Sequence, residues 1–307
     1  MQTTKLNIYD SKVNCGVNNE YPTPLLSFRQ PCLHFIVGQR TAGKSYLTSK
    51  ILEQAHKDKT FDKIYIITPS FNSNKAYFGK YIVEENVYEP TKSSISDVIK
   101  SVEADRDEWE EYLAEKEKYA ELRKTLNKHR LDDDTLLDFY DAGILDINKP
   151  KWKYAKEEPP KSLLILDDVL GSQAILQSSG LTKIATLNRH VAPLKEDHSG
   201  RSACGLACII LCQTYKMNQG IGRALRENVS LLTLFKNKQQ KQLDSIKEEL
   251  ANVCDLKEFD TAYEFCTDDP YGNLTIDFNP KDCKYKYRKN LNEILTFIDY
   301  SCDCEFD

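Results

Sequence analysis

Two groups of residues in this 307-residue chain have types and spacings suited to handling a polyphosphate. The first is Gly38-Gln39-Arg40-Thr41-Ala42-Gly43-Lys44-Ser45, which completes the Walker A pattern G-x-x-x-x-G-K-[ST]. Its glycines let backbone N–H groups curl inward around phosphate oxygens, a path that a Cβ would block. Lys44 would reach the β- and γ-phosphates, and the Ser45 hydroxyl would serve Mg2+. A helix beginning at this point would aim its positive N-terminal end at the same anion. The plain alternative is an ordinary glycine turn between a strand and a helix.

The second group ends an uninterrupted apolar run, Ser162-Leu163-Leu164-Ile165-Leu166-Asp167-Asp168. Such a run predicts a strand buried on both faces of a parallel sheet, with two carboxylates at its carboxyl end, where ligands sit in open α/β sheets. This fits Walker B. Asp167 would hold Mg2+ through water, and Asp168 would polarise an attacking water as general base. Neighbouring strand residues point to opposite sides, so the two acids can do different jobs. The competing reading is a strand that ends in a polar turn. Gln213 closes another apolar run, Ala207–Cys212, where it would sense a γ-phosphate or merely cap a strand.

These residues need a frame. Leu33–Val37 is strand-like, and Tyr46, Leu47, Ile51, Leu52 and Ala55 recur at helical spacing. Lys63–Thr68 is a second strand, stopped by Pro69, which makes a β-α-β unit with parallel strands. Val229–Phe235 is one more core strand, and Gln240–Leu250 a helix. Leu181–His190 reads as a helix leading into a polar loop, Lys195–Arg201. Residues 221–226 read as a short helix with Arg223 and Arg226 on one face. Ala262–Cys266 and Leu274–Phe278 read as a hairpin. The expected fold is an α/β P-loop NTPase of the RecA-like (ASCE) type: a mainly parallel sheet flanked by helices, with a helical insertion between the second strand and Walker B. The expected organisation is an N-terminal arm over 1–30, an ATPase domain over 31–280 and a C-terminal tail over 281–307.

The insertion, 93–160, is charged. Ile95, Val98, Val102, Trp109, Tyr112, Tyr119, Leu122 and Leu126 step by threes and fours, a long amphipathic helix that Leu136, Leu137, Phe139 and Tyr140 would close into a hairpin. It reads as a solvated insertion or as a partner-binding arm. In the tail, Lys284-Tyr285-Lys286-Tyr287-Arg288-Lys289 interleaves basic and aromatic residues, which suits nucleic-acid contact or a solvated edge.

Composition bounds the rest. Net charge is −5, and Asp97–Asp134 alone holds 13 acidic against 8 basic residues, so the remainder is neutral. No global basic field advertises nucleic acid. No apolar run reaches about 18 residues, the length of a membrane-spanning helix. The first residues are polar, unlike a secretory leader, so the ten cysteines are expected to be reduced. They contain no CxxC pair and support no zinc site; Cys302-x-Cys304 with Cys283 is the only cluster near the tail.

The series now resembles the viral genome-packaging ATPases of the FtsK/HerA P-loop superfamily, the branch of poxviruses, other large DNA viruses, virophages and polinton-like elements. The matching pieces are the two Walker groups, Asn188-Arg189-His190, Ile210–Tyr215, and Leu225-Arg226-Glu227-Asn228 leading into Leu231–Lys236. The resemblance implies ATP and Mg2+ as cofactors and a homo-oligomeric ring, a pentamer or hexamer, around double-stranded DNA. It further implies capsid or portal vertex proteins as partners, no membrane, and a place in the host cytoplasm (the viral factory) or the virion, not secretion. It also implies an arginine that reaches a neighbouring subunit's nucleotide, and Arg189 matches that position best. The segment between His190 and the Gln213 strand is longer and more charged than in the compact family pattern, which brings in Arg201 as a competitor. Arg223 and Arg226 are fallbacks.

The leading expectation is an ATP-hydrolysing translocase that packages viral DNA, with Lys44, Asp168, Arg189 and Gln213 as its catalytic residues. A P-loop kinase is the second reading; paired acids and a glutamine favour water as acceptor over it. The third is a non-hydrolysing, nucleotide-gated capsid assembly or scaffold protein.

Overall fold

Apolar runs of five to seven residues become the strands at the centre of the sheet. The computed structural model describes residues 2–5, 31–128, 149–169, 171–198, 200–215, 225–278 and 286–297. Their strands are β1 (Gln2–Lys5), β2 (Leu33–Val37), β3 (Lys63–Ile67), β4 (Val87–Tyr88), β5 (Ser162–Asp167), β6 (Pro193–His198), β7 (Arg201–Ala203), β8 (Leu206–Cys212), β9 (Leu231–Phe235), β10 (Asn273–Asp277), β11 (Tyr287–Lys289) and β12 (Glu293–Thr296). The α-helices are α1 (Lys44–Lys57), α2 (Phe71–Phe78), α3 (Ser94–Lys128), α4 (Gln173–Leu176), α5 (Ser179–Leu187), α6 (Gln240–Leu250) and α7 (Leu256–Thr267).

Ten strands form one sheet in the order β1-β12-β11-β10-β9-β2-β8-β5-β3-β4. From β9 to β4 every neighbouring pair is parallel. From β9 to β1 every pair is antiparallel. Every residue of β2, β5, β8 and β9 is buried, as parallel strands covered on both faces require. Alternation along β2 sends Ile36 to one face, against Ile51, Leu52 and Ala55 of α1. It sends Phe35 and Val37 to the other face, whose core includes Val98 of α3, Ile184 of α5 and Phe259 of α7. The fold is therefore α/β, with a largely parallel central sheet between helical layers.

Several sequence expectations change here. Of the expected loop Lys195–Arg201, Lys195–His198 lies in β6 and Arg201 in β7, which pair antiparallel. Ala262–Cys266 belongs to helix α7. Phe259, Ala262, Tyr263 and Cys266 are buried at three- and four-residue steps, and Asp255 caps the helix by accepting from the N–H groups of Lys257 and Glu258. Only its partner in the expected hairpin, β10, is a strand, and it pairs with β9 and β11.

The charged insertion is not wholly solvated. Ile95, Val98, Ile99 and Val102 of α3 are core residues of the sheet layer. Further along, Trp109 and Tyr112 pack with Trp152 on the returning chain. Asp105 is buried between Lys63, Lys153 and the Tyr154 hydroxyl. The hairpin closure expected at Leu136–Tyr140 lies outside the described residues.

Within the expected tail, β11 and β12 extend the main sheet. Among the described residues of its basic-aromatic strip, Tyr287 and Arg288 are buried, and Arg288 pairs with Asp277 at 3.1 Å. Lys289 pairs with Asp269 at 2.6 Å. Lys284, Tyr285, Cys283, Cys302 and Cys304 lie outside the described residues, as does the arm apart from β1.

Candidate active site

The parallel block ends its strands along one edge, and the polar residues that follow β2, β3, β5 and β8 meet there. After β2 the chain turns through Gly38–Gly43. The N–H of Gly38 donates to Cys212 O at 3.1 Å, which ties the loop's start to the end of β8. A Cβ on Gly38 would stand 3.0 Å from the Phe235 side chain, so the backbone comes this close to β9 because no side chain intervenes. Gly43 has φ +105°, a conformation that glycine adopts without cost, and α1 starts directly after it. Arg40 and Thr41 are exposed at the loop's tip, Ala42 N–H closes a turn on Gln39 O at 3.2 Å, and the Gln39 amide reaches Asn237 Oδ1 at 3.4 Å.

Lys44 is the first residue of α1, and its ammonium donates to Gly38 O at 2.6 Å and Gln39 O at 3.1 Å. It is thus held at the loop's mouth. Burial lowers its pKa, while Cys212, Asp168 and Asp167 act in the opposite direction. Ser45 follows it in the first turn of the helix.

The two acids differ in surroundings. Asp167 is the buried last residue of β5. Its Oδ2 accepts from the Asn74 amide at 2.8 Å and from the Thr68 hydroxyl at 3.2 Å. Burial raises its pKa; the Thr68 and Asn74 hydrogen bonds and Lys44 oppose the shift, and Asp168 adds to it. Asp168 is exposed at φ +53°, just past the strand, with its N–H on Leu211 O at 3.3 Å. The Gln213 amide donates to both Asp168 carboxylate oxygens, each at 3.0 Å. The site thus holds an ammonium, one carboxylate fixed in the interior and one carboxylate at the surface gripped by an amide.

Oxygen donors suit Mg2+, which takes one or two carboxylates together with phosphate oxygens and water, not an all-protein cage. Ser45 and Asp167 fit that donor set. Both hydrogen bonds on Asp167 fall on Oδ2, which leaves Oδ1 for a hydrated cation. Among the described residues no group of three or more His, Cys, Asp or Glu forms a metal cage.

The arginines separate. Arg189 is exposed on a short 3-10 turn, Asn188–His190. The neighbouring Asn188 amide donates to Pro31 O and Leu206 O, which pins this turn to the starting end of β8. Seven strand residues, about 20 Å, separate that end from Gln213. Arg189 lines a cleft of about 770 Å3 with Arg226, Tyr215 and Glu248. Arg201, the expected competitor, is committed to structure. It donates to Pro159 O at 3.0 Å, Pro160 O at 3.5 Å and Cys204 O. Arg226 pairs with Glu249 at 2.7 Å and faces the Tyr215 ring. Arg223 lies outside the described residues.

Thr68 and Asn74 were not among the expected site residues. Thr68 ends a parallel strand and so carried a usable signal. Asn74 sits in α2, a segment with no periodicity that would have marked it.

No family model and no curated protein matches the chain. Solved structures do resemble its fold. One is the genome packaging NTPase B204 from Sulfolobus turreted icosahedral virus 2 in complex with sulfate; it is 16% identical, 88% of this chain and 98% of that chain are covered, and the TM-score is 0.41. The same NTPase in complex with ATP-gammaS is 15% identical over 82% of this chain and 94% of that one, with a TM-score of 0.40. The cytoplasmic domain of the Type VII secretion ATPase EccC from Thermomonospora curvata is 12% identical, with a TM-score of 0.38; 80% of this chain is covered but only 24% of that one. Among the described residues no helix is long and apolar enough to cross a membrane.

Proposed function

We propose that this chain hydrolyses ATP with Mg2+ and that, as a homo-oligomeric ring, it drives double-stranded viral DNA into a preformed capsid. The observation that carries the hydrolytic part is the convergence of Lys44, Asp167, Asp168 and Gln213 at one edge of four adjacent parallel strands.

The roles follow from the geometry. The N–H groups of Gly38–Ser45 and the start of α1 cradle the phosphates. Lys44 exchanges its carbonyl partners for β- and γ-phosphate oxygens. Ser45 and Asp167 hold Mg2+, which when bound neutralises phosphate charge. Asp168 orients the attacking water and takes its proton. Gln213 fixes the Asp168 carboxylate, and we assign it the role of sensing the γ-phosphate.

The ring reading rests on the motif series, and it assigns Arg189, which lies at the far end of β8 from its own phosphate loop, to the nucleotide of a neighbouring subunit. There it would neutralise charge on the transferring phosphoryl group. The motif series supports the DNA and capsid partners, and with them a place in the viral factory or the virion.

The deciding experiment is steady-state ATP hydrolysis with and without linear duplex DNA, together with molar mass in solution. DNA-stimulated turnover by a ring-sized species is the expected result. A γ-phosphate delivered to another small molecule would point to a kinase. ATP binding without turnover under any condition would leave an assembly protein.

A further inference from the structure

Tyr271 stands 72% exposed beside the phosphate loop, more exposed than any other large apolar side chain among the described residues. Its backbone φ is +64°. A bulky residue in the left-handed region is strained, and such strain lasts only where the surroundings enforce it. Here the turn between α7 and β10 enforces it. Gly272 N–H donates to Asp269 O at 2.9 Å. A Cβ on Gly272 would come within 2.3 Å of the Cys266 carbonyl oxygen, so the turn admits no larger residue. Lys289 clamps Asp269 at 2.6 Å from the adjacent strand.

This braced turn sets an aromatic ring in water against the loop. A Cβ built on Gly43 would lie 3.4 Å from Tyr271 Cδ1. A nucleotide whose phosphates fill the loop must place its ribose and base outside the mouth. Aromatic faces exposed at such a point are what bases stack on. Tyr46, the other exposed tyrosine near the loop, already has the Lys50 ammonium over its ring at 5.7 Å.

We propose that Tyr271 is the stacking platform for the purine base of the nucleotide bound by this loop. The inference rests on the nucleotide-binding reading above and adds the residue that distinguishes a nucleotide from bare polyphosphate. Stacking accepts any flat base, so Tyr271 contributes affinity for purine nucleotides without choosing adenine over guanine.

Calorimetric titration of the full chain with Mg-ATP and with Mg-tripolyphosphate tests it. Tyr271→Ala should lose about tenfold or more in ATP affinity and bind tripolyphosphate like the wild type. Tyr271→Phe and Tyr271→Trp should retain ATP affinity. If both ligands bind and Tyr271→Ala is indistinguishable from wild type, the stacking role is overturned while phosphate binding stands. Loss of ATP affinity in Tyr46→Ala instead of Tyr271→Ala would likewise overturn it. If the wild type binds neither ligand, the phosphate-loop reading fails and this role fails with it.

Discussion

The Asn74 amide donates to Asp167 Oδ2 at 2.8 Å, joining α2 to the last residue of β5. With the Thr68 hydroxyl on the same oxygen, it fixes the orientation of the Asp167 carboxylate. Partners of this kind set the orientation of metal-binding carboxylates, and removing them typically costs about 10–100-fold in metal affinity or activity. Asn74→Ala should therefore raise the Mg2+ concentration for half-maximal turnover by about tenfold or more. A Mg2+ titration of ATP hydrolysis checks this, and an unchanged midpoint would show that α2 does not position the carboxylate.

Asp168 and Gln213 should separate base chemistry from positioning. Asp168→Asn should bind ATP normally and lose about 10²–10⁴-fold in turnover. Gln213→Ala keeps Asp168 but frees its carboxylate, and if Asp168 is the base, misplacement of that order should cost about 10²-fold. Single-turnover hydrolysis beside equilibrium ATP binding reads both. Retained turnover in Asp168→Asn would mean the base is elsewhere.

Arg189→Ala should bind ATP like the wild type and lose about 10³-fold or more in turnover, but only where subunits are assembled. Turnover measured against protein concentration, with molar mass in parallel, tests this. Equal losses in monomer and ring would rule out action across the interface.

His34 should make the fold acid-sensitive. Its ring is buried in β2 and bonds Thr233 Oγ1 at 2.8 Å, with Thr275 next in line at 2.7 Å. Burial lowers its pKa from 6.5 to about 3. As pH falls through 6.5 the unfolded chain takes up a proton that the folded chain refuses. This contribution is therefore intact above pH 6.5 and lost progressively down to about pH 3. Between pH 6.5 and 4.5 the loss amounts to about 2–3 kcal/mol. Urea unfolding at both pH values, compared with His34→Gln, checks it; identical pH dependence in the two proteins would refute it.

The residues of the candidate site were legible because they are contiguous. Eight successive residues make the loop, and an apolar run that ends in two acids announces a buried strand by composition alone. The α/β class and the parallel centre followed from similar runs. Where local patterns were short they misled. Ala262–Cys266 looked extended until its helical contacts and the Asp255 cap were seen together. Lys195–His198 is polar enough for a loop, yet it is a strand that pairs with β7.

What the residues determined alone was which groups could do phosphate chemistry. The tertiary structure decided which of them meet. Asn74, Thr68, Asp167 and Lys44 come from three separate segments, and only the strand order β2-β8-β5-β3 sets them at one edge. The same packing tied Arg201 to the carbonyls of Pro159, Pro160 and Cys204, and put Arg189 at the opposite edge from its own loop. Strand order and register arise from burial summed over the whole sheet, a quantity that no single stretch of sequence displays.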